Sequence, residues 1–564
     1  MKFKALICTL NSKYIHSSLA PWCLYTACKK VLSDDIDVKV TEGTINEKEE
    51  DVLNRIIEEK PDFVGFSCYI WNIEKTLAIA RKLKEEGITV ALGGPEVSYR
   101  QRDILERYSF VDYVLSGEGE AIFPELLKAV SSGSVPDING VCQRKDGKFI
   151  ISEGETIDFV GTASPYCKEY FEALGNRIAY IESSRGCPFS CAFCLSGRCG
   201  KVRFLPLDRV KSEMITLSDM GAKTIKFVDR TFNCNPKRAA DILSFIKDEY
   251  GKKIKCDVCF HFEIAADILT EELFEIISDL PLGAVQFEVG IQSFNEETLS
   301  KINRKTNANV VESNVKRLLS YGNCHVHIDL IAGLPLEDYS SFVAGFNRAY
   351  GIGANMLQLG FLKILYGSPM AEDKDSYPCL YSSVPPYEVT STPWISEDEL
   401  GNLRVCENEL ERLYNSGRFP RTLRYLCEKM PPYDLFFGFG EYLKIKGEKG
   451  SIPLDKYVCL AYEYFSAIRG VDKIKLRDLM ILDRISTNNS DVIPSCLKVK
   501  DDRLKKLRRL VGKHCTVAIL YSENVAVYCD YDEDKNPVTG QWEINKLGIA
   551  TNYTEKNELT TRHF

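Results

Sequence analysis

The sequence has no apolar run long enough to cross a membrane, which takes about 20 consecutive apolar residues. Its opening segment, Met1 to Leu10, is too short for the apolar region of a signal peptide, and no small-residue cleavage site follows it. We therefore expect a cytoplasmic protein with no membrane partner.

The 21 cysteines lack the paired, regular spacing of a disulfide framework, and their number is odd. Such frameworks stabilise small secreted domains, so a disulfide scaffold is excluded as the basis of this fold. We expect the cysteines to be kept reduced, in agreement with a cytoplasmic location.

Charge of one sign is not in large excess either. A formal net charge of −8 gives no general attraction to nucleic acid or to an anionic membrane surface. One local segment, residues 502–511, predicts a helix with an apolar stripe and basic side chains outside it. A solvated helix face is the commoner explanation of this pattern, so nucleic acid is not an expected partner; binding to RNA phosphates is the alternative.

A dinucleotide-binding fingerprint is also missing, because no G-x-G-x-x-G follows the first predicted strand at residues 3–8. Residues 1–135 instead alternate strand and helix patterns, which predicts an α/β domain with a doubly wound, Rossmann-like parallel sheet. Ligands bind such sheets beyond the carboxyl ends of the strands. At those ends the sequence has small and polar residues, at 67–72, 93–96 and 116–120.

The length of 564 residues favours three domains. Turn-forming residues at 131–140 mark the end of the first, and residues 136–177 predict a β-rich connector with a hairpin at 141–152. Six strand patterns alternate with helices over 178–370, which predicts a partial (β/α)6 barrel of the TIM type. Residues 371–564 predict a C-terminal α+β domain with a small antiparallel sheet at 514–550.

Three cysteines lie close together near the start of the predicted barrel: Cys187, Cys191 and Cys194. They follow a predicted strand at 178–182, so they stand at the strand end where α/β barrels carry their chemistry. Three thiolates can bind three irons of a four-iron, four-sulfur cluster and leave the fourth iron open to a small molecule. Cys199 follows at a spacing that fits no common four-cysteine site. A zinc site with a distant fourth ligand, or three unliganded thiols, are the alternatives.

This loop resembles that of the radical S-adenosylmethionine (SAM) superfamily, in which an aromatic residue, here Phe193, usually precedes the last cysteine. The resemblance implies that SAM chelates the open iron and is cleaved by one electron to methionine and a 5′-deoxyadenosyl radical. A cell with little oxygen is then expected. The resemblance also implies SAM contacts at strand ends, by Phe193, Asp229, Glu288, Gln292 and Gly333. His325 and His327 read as ordinary strand residues, with substrate contact as the alternative.

The first domain resembles the cobalamin-binding domain that precedes many radical SAM domains. This implies cobalamin contacts by Ser67, Tyr69, Trp71, Gly93, Gly94, Glu118 and Gly119. The D-x-H-x-x-G motif, whose histidine binds cobalt from below in other cobalamin proteins, is absent; His16 has the wrong offset and reads as a structural hydrogen-bonding residue. Trp71 is a candidate to cover the lower cobalt face, and an aromatic plug at the sheet edge is the alternative.

Together the resemblances imply a cobalamin-dependent radical SAM enzyme, a class B methyltransferase acting on an unactivated carbon of a small molecule or peptide. They also imply an electron donor such as flavodoxin or ferredoxin. The alternatives are a radical rearrangement, cyclisation or reduction without methyl transfer, tRNA methylthiolation, and a non-enzymatic cobalamin or redox sensor. Methylthiolating enzymes normally have three further cluster cysteines in the first domain, and Cys8, Cys23, Cys28 and Cys68 do not form that pattern.

Overall fold

The structure is a computed structural model that describes residues 2–548. Its contacts divide the chain into two compact units. Unit 1 contains the residues up to Leu280, Ser300–Lys305 and Phe361–Pro393. Unit 2 contains Pro281–Leu299, Thr306–Gly360 and the described residues from Trp394 onward.

The N-terminal sheet lies in unit 1. Its strands are β1 (Phe3–Asn11), β2 (Ile36–Thr44), β3 (Phe63–Ser67), β4 (Thr89–Gly93), β5 (Tyr113–Leu115), β6 (Val141–Lys145) and β7 (Lys148–Ile150). The helices are α1 (Ala20–Val31), α2 (Glu49–Glu58), α3 (Ile73–Glu85), α4 (Gln101–Arg107) and α5 (Gly119–Ser131). The first five strands are parallel in the order β2-β1-β3-β4-β5, which confirms the doubly wound sheet. The predicted connector hairpin, β6 and β7, extends this same sheet in antiparallel fashion.

Burial explains why these segments form a parallel sheet. Every residue of β3 is buried, as expected for a central strand covered by helices on both faces. The strand order changes direction at β1, which pairs with β2 on one side and β3 on the other. Such a switch point opens a crevice beyond the carboxyl ends of the two strands, and ligands bind there.

The next part of the chain forms the predicted partial barrel. Its strands are β8 (Ala179–Ile181), β9 (Ser184–Arg185), β10 (Arg203–Phe204), β11 (Thr224–Phe227), β12 (Cys259–Ile264), β13 (Val285–Gln292), β14 (His325–Ala332) and β15 (Met356–Phe361). The helices are α6 (Lys168–Leu174), α7 (Leu207–Asp219), α8 (Pro236–Glu249), α9 (Glu271–Ser278), α10 (Glu296–Lys301), α11 (Ala308–Tyr321), α12 (Tyr339–Ile352) and α13 (Pro369–Glu372).

In each unit the neighbouring strands follow chain order: β8, β11 and β12 in unit 1, and β13, β14 and β15 in unit 2. The pairings within each unit, β8 with β11, β11 with β12, and β13 with β14, are parallel. Buried and half-buried residues alternate along β12, β13 and β14, so one face of each strand packs against helices. The alternate, half-buried residues are mostly polar. Turns occupy the residues just before β12, which begins at Cys259.

The C-terminal part is mainly helical. Its elements are β16 (Leu380–Tyr381), β17 (Val389–Ser391), α14 (Glu397–Leu410), α15 (Pro420–Cys427), α16 (Pro432–Ile445), α17 (Leu454–Phe465), α18 (Lys473–Thr487), α19 (Arg503–Leu507), β18 (Cys515–Leu520), β19 (Val525–Asp530) and β20 (Asn545–Leu547). A capping box between Ser396 and Glu399 begins α14. The last three strands form the predicted antiparallel sheet. The prediction ended at residue 550, and residues 549–564 lie outside the described residues.

The basic segment predicted as a helix forms α19, and its apolar side packs on this sheet: Leu507 is buried in a cluster with Val517 and Ile519. Among the described residues, no helix is both long enough and apolar enough for a membrane span.

Candidate active site

A short loop after β9 has the three predicted cluster ligands, Cys187, Cys191 and Cys194. Its centre is fixed by two backbone hydrogen bonds: Ala192 donates to the Ile302 carbonyl at 2.9 Å and accepts from the Met370 amide at 3.1 Å. Cys191 is buried, and the other two thiols are half-buried, as is Phe193. All these residues belong to unit 1, so distant segments of one compact body hold the loop in place.

Each of the three sulfurs has a hydrogen-bonding neighbour: the Arg304 guanidinium for Cys191 at 3.7 Å, the Thr231 hydroxyl for Cys187 at 3.6 Å, and the Ser196 amide for Cys194 at 3.4 Å. Burial raises the pKa of the Cys191 thiol; the Arg304 charge opposes this, and the neighbouring Cys194 and Cys187 thiols add to it. The three sulfurs therefore lie near enough to interact, as ligands of one cluster must.

The spacing of the sulfurs also separates a cluster from a single zinc ion. Among the described residues, the triplet of His, Cys, Asp or Glu whose ligand atoms all lie within 4.8 Å of one another is Glu288, His327 and Asp329. The three cysteine sulfurs are thus more widely spaced than ligands of one zinc ion, whose sulfurs stand roughly 3.8 Å apart in a tetrahedral site.

Asp229 follows β11, and its carboxylate is bound by protein groups. One oxygen accepts from the Ser183 amide at 2.8 Å, and the other accepts from the Ser183 and Ser184 hydroxyls at 2.7 and 2.5 Å. The side chain is buried, and burial raises its pKa. Asp229 fixes the turn that leads into the cysteine loop. A carboxylate offers about four acceptor sites, so the predicted contact with the amino group of SAM remains a prediction.

Glu118, predicted to contact cobalamin, is the carboxylate partner of two arginines. Arg203 and Arg185 are paired residues of the β9–β10 hairpin, and both guanidinium groups bind Glu118. Arg185 also binds Glu120 at 2.7 Å and Glu182 at 2.8 Å. The oxygens of Glu118 thus belong to an ion-pair network that ties the N-terminal domain to the hairpin flanking the cysteine loop, and its contact with cobalamin remains a prediction.

A cavity of about 670 Å³ in unit 1 collects the predicted cobalamin contacts. Its lining includes all of them: Ser67, Tyr69, Trp71, Gly93, Gly94, Glu118 and Gly119. The opposite wall is formed at the ends of β8, β11 and β12, by Tyr180, Glu182, Lys226, Val228, Arg230 and Glu263. The volume lies within the range of about 300–1,000 Å³ typical of cofactor and ligand pockets. The cavity lies at the switch point between β1 and β3, as the strand order predicts.

Two adjacent glycines at the end of β4 have different roles. A side chain on Gly94 would place its Cβ 2.6 Å from the Cys68 carbonyl, and φ is +102°, so this glycine is required by the protein's own packing. A Cβ on Gly93 would meet only Leu115, at an ordinary 3.5 Å. Gly93 thus has room on its cavity side, as a position facing a bulky cofactor should.

An aromatic pair stands at the same switch point. The rings of Tyr69 and Trp71 stack in parallel with centroids 4.5 Å apart, and the Trp71 indole donates to the Leu10 carbonyl at 3.1 Å. Trp71 is 45% exposed, which does not fit a plug packed into the sheet edge. Both side chains of the pair line the cavity. His16 also lines the cavity and forms a 2.7 Å hydrogen bond with the Tyr180 hydroxyl, which confirms its structural interpretation.

The remaining predicted SAM contacts lie in unit 2. Glu288 on β13 stands opposite His327 on β14, and His327 lies 2.9 Å from Asp329. The prediction that His327 is an ordinary strand residue is therefore incomplete, since it belongs to a polar cluster with Glu288. Gln292 has a φ of +71° at a bulge in β13, and Gly333, with φ of +86°, directly follows β14.

A buried carboxyl group links the segments that follow these two strands. The Ser293 hydroxyl donates to Glu337 at 2.6 Å, and Glu337 is 2% exposed. Burial raises the Glu337 pKa to about 7 from an ordinary 4.5. The folded state therefore prefers the protonated form, and the free energy of unfolding falls as the pH rises from 4.5 through 7.

We expect Glu337→Gln to remove this pH dependence, because the amide keeps an acceptor for Ser293 and cannot ionise. The variant should match the wild type at pH 5 and be more stable at pH 8, by about 3 kcal/mol for a shift of this size. Scanning calorimetry at the two pH values measures the difference. Glu297→Gln, at an exposed position of α10, is the control and should show no such change; equal behaviour of both variants would contradict the assignment.

Sequence reasoning missed several residues of this site, notably Arg304 and Arg185. Arg304 lies 113 residues beyond the cysteine it contacts, and no local pattern connects the two. Arg185 stands only two residues before Cys187, so its proximity was visible. Two of its three carboxylate partners, Glu118 and Glu120, lie at the start of α5, far back along the chain, and no local pattern connects them with Arg185.

Three regions of the chain match known families. Residues 7–127 match the B12 binding domain, residues 181–345 the radical SAM superfamily, and residues 375–560 a family of unknown function, DUF4080. The first two matches imply cobalamin, a four-iron, four-sulfur cluster and SAM as the cofactors. The B12 binding match agrees with the cavity at the switch point, and the radical SAM match agrees with the three-cysteine loop.

Two curated relatives are methyltransferases. The chain is 27% identical over 378 residues to the cobalamin-dependent radical SAM methyltransferase TokK of Streptomyces tokunonensis, covering 62% of this chain and 54% of TokK. It is 29% identical over 319 residues to the 2-(S-pantetheinyl)-carbapenam-3-carboxylate methyltransferase of Streptantibioticus cattleyicolor, covering 52% and 45%. The chain thus spans about half the length of these relatives.

A solved structure shares the fold. The radical SAM methyltransferase TsrM of Kitasatospora setae, with cobalamin and a 4Fe–4S cluster bound, superposes with a TM-score of 0.56 at 18% identity, covering 68% of this chain and 80% of TsrM. The family matches thus give the chain the domain order of radical SAM enzymes with an N-terminal cobalamin-binding domain: a B12 binding domain, followed by a radical SAM domain.

Proposed function

We propose that the chain is a cobalamin-dependent methyltransferase that acts in the cytoplasm on an unactivated carbon of a small molecule or peptide. The 670 Å³ cavity carries this proposal, because its two walls come from the N-terminal sheet and from the barrel strands. The cysteine loop belongs to the same compact unit. A cofactor on the sheet and a substrate at the barrel mouth can therefore share one space.

The cofactors, when bound, would supply the reactive groups: a hydrogen-abstracting radical from SAM at the cluster, and a methyl group from cobalamin. The residues of the chain hold and orient them. Cys187, Cys191 and Cys194 are the cluster ligands in this proposal, and the Tyr69–Trp71 pair is the face that covers the lower side of cobalamin. Of the described histidines, His16 is the one that lines the cavity, and it is engaged with Tyr180.

The barrel wall of the cavity indicates a polar substrate. Lys226, Arg230 and Glu263 bring charge of both signs to that wall. Burying charged side chains against an alkyl chain is unfavourable, whereas a substrate with polar or charged groups can pair with them. The electrons come from an external donor, for which a flavodoxin or ferredoxin is the proposed class.

The products of SAM test this proposal without knowledge of the substrate. A cobalamin-dependent methyltransferase converts one SAM to S-adenosylhomocysteine when the methyl group is taken up, and a second to 5′-deoxyadenosine. We expect anaerobic, cobalamin-loaded protein with a chemical reductant to form both products, with S-adenosylhomocysteine formation depending on cobalamin. Liquid chromatography with mass spectrometry measures both.

The alternatives give different outcomes in the same assay. A rearrangement, cyclisation or reduction gives 5′-deoxyadenosine without cobalamin-dependent S-adenosylhomocysteine. Methylthiolation gives S-adenosylhomocysteine whether or not cobalamin is present. A sensor binds the cofactors and forms neither product, and any of these three results would overturn methyl transfer as the function.

A further inference from the structure

A segment far along the chain supports the cysteine loop. Residues Ser300–Lys305 belong to unit 1 and return to the loop more than a hundred residues after it. The Ile302 carbonyl accepts from the Ala192 amide at 2.9 Å, and the Asn303 amide side chain donates to the Ser190 carbonyl at 3.1 Å. The Tyr377 hydroxyl donates to the Lys301 carbonyl at 3.3 Å, so the supporting segment is itself fixed.

This segment directs a charged donor at one ligand sulfur. The Arg304 Nη1 atom lies 3.7 Å from the Cys191 Sγ atom, and the guanidinium also stands over the Phe189 ring, 5.9 Å from its centroid. The neighbours of the other two sulfurs, the Thr231 hydroxyl and the Ser196 amide, are neutral. Among the described residues, Cys191 is therefore the cluster ligand with a cationic hydrogen-bond donor.

A charged donor at a ligand sulfur changes the energetics of electron uptake. Reduction adds a negative charge to the cluster, and the charge is shared by the cysteine sulfurs. Hydrogen bonds to those sulfurs are one of the factors that set the reduction potential of iron–sulfur clusters. Arginine stays protonated at all physiological pH values, so its contribution is permanent.

We propose that Arg304 raises the reduction potential of the cluster through its hydrogen bond to Cys191, and so makes the cluster reducible by a weaker electron donor. The inference rests on the cluster assigned to the three cysteines but not on methyl transfer. Arg304 is in this sense a positioning and tuning residue, because it acts through Cys191 and not on the substrate.

The test is an anaerobic redox titration of the cluster, followed by electron paramagnetic resonance, in full-length protein without SAM. Arg304→Met removes both the charge and the hydrogen bond, and we expect a more negative midpoint potential. At the wild-type midpoint, the ratio of reduced to oxidised cluster should fall about tenfold, equivalent to about 59 mV for one electron. Arg304→Lys keeps the charge and should fall between the two.

Arg198 provides a matched control. It lies just after the loop, and its guanidinium pairs with Glu372 and stands over the Tyr99 ring, with no hydrogen bond to a ligand sulfur. Arg198→Met therefore removes a nearby positive charge without removing an N–H···S contact, and its potential should stay close to that of the wild type. If Arg304→Met and Arg198→Met shift the potential equally, or neither shifts it, the proposal is overturned.

Cluster loading separates the ways in which this experiment can fail. If the wild-type protein binds no iron, the assignment of a cluster to the three cysteines is wrong, and the proposal for Arg304 falls with it. If only Arg304→Met fails to load, Arg304→Lys and Arg304→Gln give the same comparison with smaller changes in shape. An unshifted potential in a loaded Arg304→Gln variant then refutes the tuning role.

Discussion

Replacing Cys191 by alanine should abolish the cluster and reduce 5′-deoxyadenosine formation to the level of a protein-free control. The expected effect is large because three ligands are the minimum for this kind of cluster, and losing one leaves two irons without protein ligands. Cys191 is the best position for the test because it is the buried member of the set and lies beside the backbone anchors at Ala192. Iron and sulfide content, visible absorbance and nucleoside release measure the effect.

Cys259→Ala is the matched control, since it makes the same change in a half-buried cysteine of the same unit, outside the cysteine loop. Burial raises the pKa of the Cys259 thiol to about 12, and Cys259 lies on β12, away from the three-cysteine loop. We expect the variant to keep full iron and full activity. Cys199→Ala should also keep the cluster, because the assignment leaves one iron without a cysteine. Retained iron and nucleoside release in Cys191→Ala would refute the assignment.

The sequence predicted those parts of the fold that have local signals. Strand and helix patterns in residues 1–135 and 178–370 repeat within short windows, and the spacing of three cysteines is visible in a single loop. The C-terminal helices α15, α16 and α18 were not predicted. The predicted domain boundaries remain a prediction, although the hairpin of β6 and β7 pairs with β5 and extends the N-terminal sheet.

What the sequence could not predict is which long-range partner a polar residue takes. Asp229 and Glu118 stand at strand ends, and position alone suggested ligand contacts for both. Their oxygens are bound by Ser183 and Ser184 in one case and by Arg185 and Arg203 in the other, while the predicted ligand contacts remain predictions. Pairing of this kind depends on which segments the fold brings together, and neither periodicity nor spacing records it. Glycine identity was informative, but for two different reasons at Gly93 and Gly94.

Gly93→Leu should exclude cobalamin while leaving the cluster chemistry intact. A Cβ atom on residue 93 would meet only Leu115, at 3.5 Å, so the fold has space for the first carbon of a side chain there. The rest of a leucine must then extend into the cavity, where the cofactor is proposed to lie. Overpacking of this kind costs roughly 1–3 kcal/mol, which corresponds to about 5- to 150-fold weaker cobalamin binding.

The measurement combines cobalamin stoichiometry from visible absorbance with the two SAM products from the same sample. We expect Gly93→Leu to lose bound cobalamin and S-adenosylhomocysteine formation but to keep iron and 5′-deoxyadenosine release, which also shows that unit 1 is folded. Gly93→Ala, which adds only the tolerated Cβ, should behave nearly as the wild type, and Gly401→Leu, where an added Cβ has open space, controls for the leucine itself. Full cobalamin binding by Gly93→Leu would place the corrin elsewhere, and the shared cavity would then lose its role in bringing the two cofactors together.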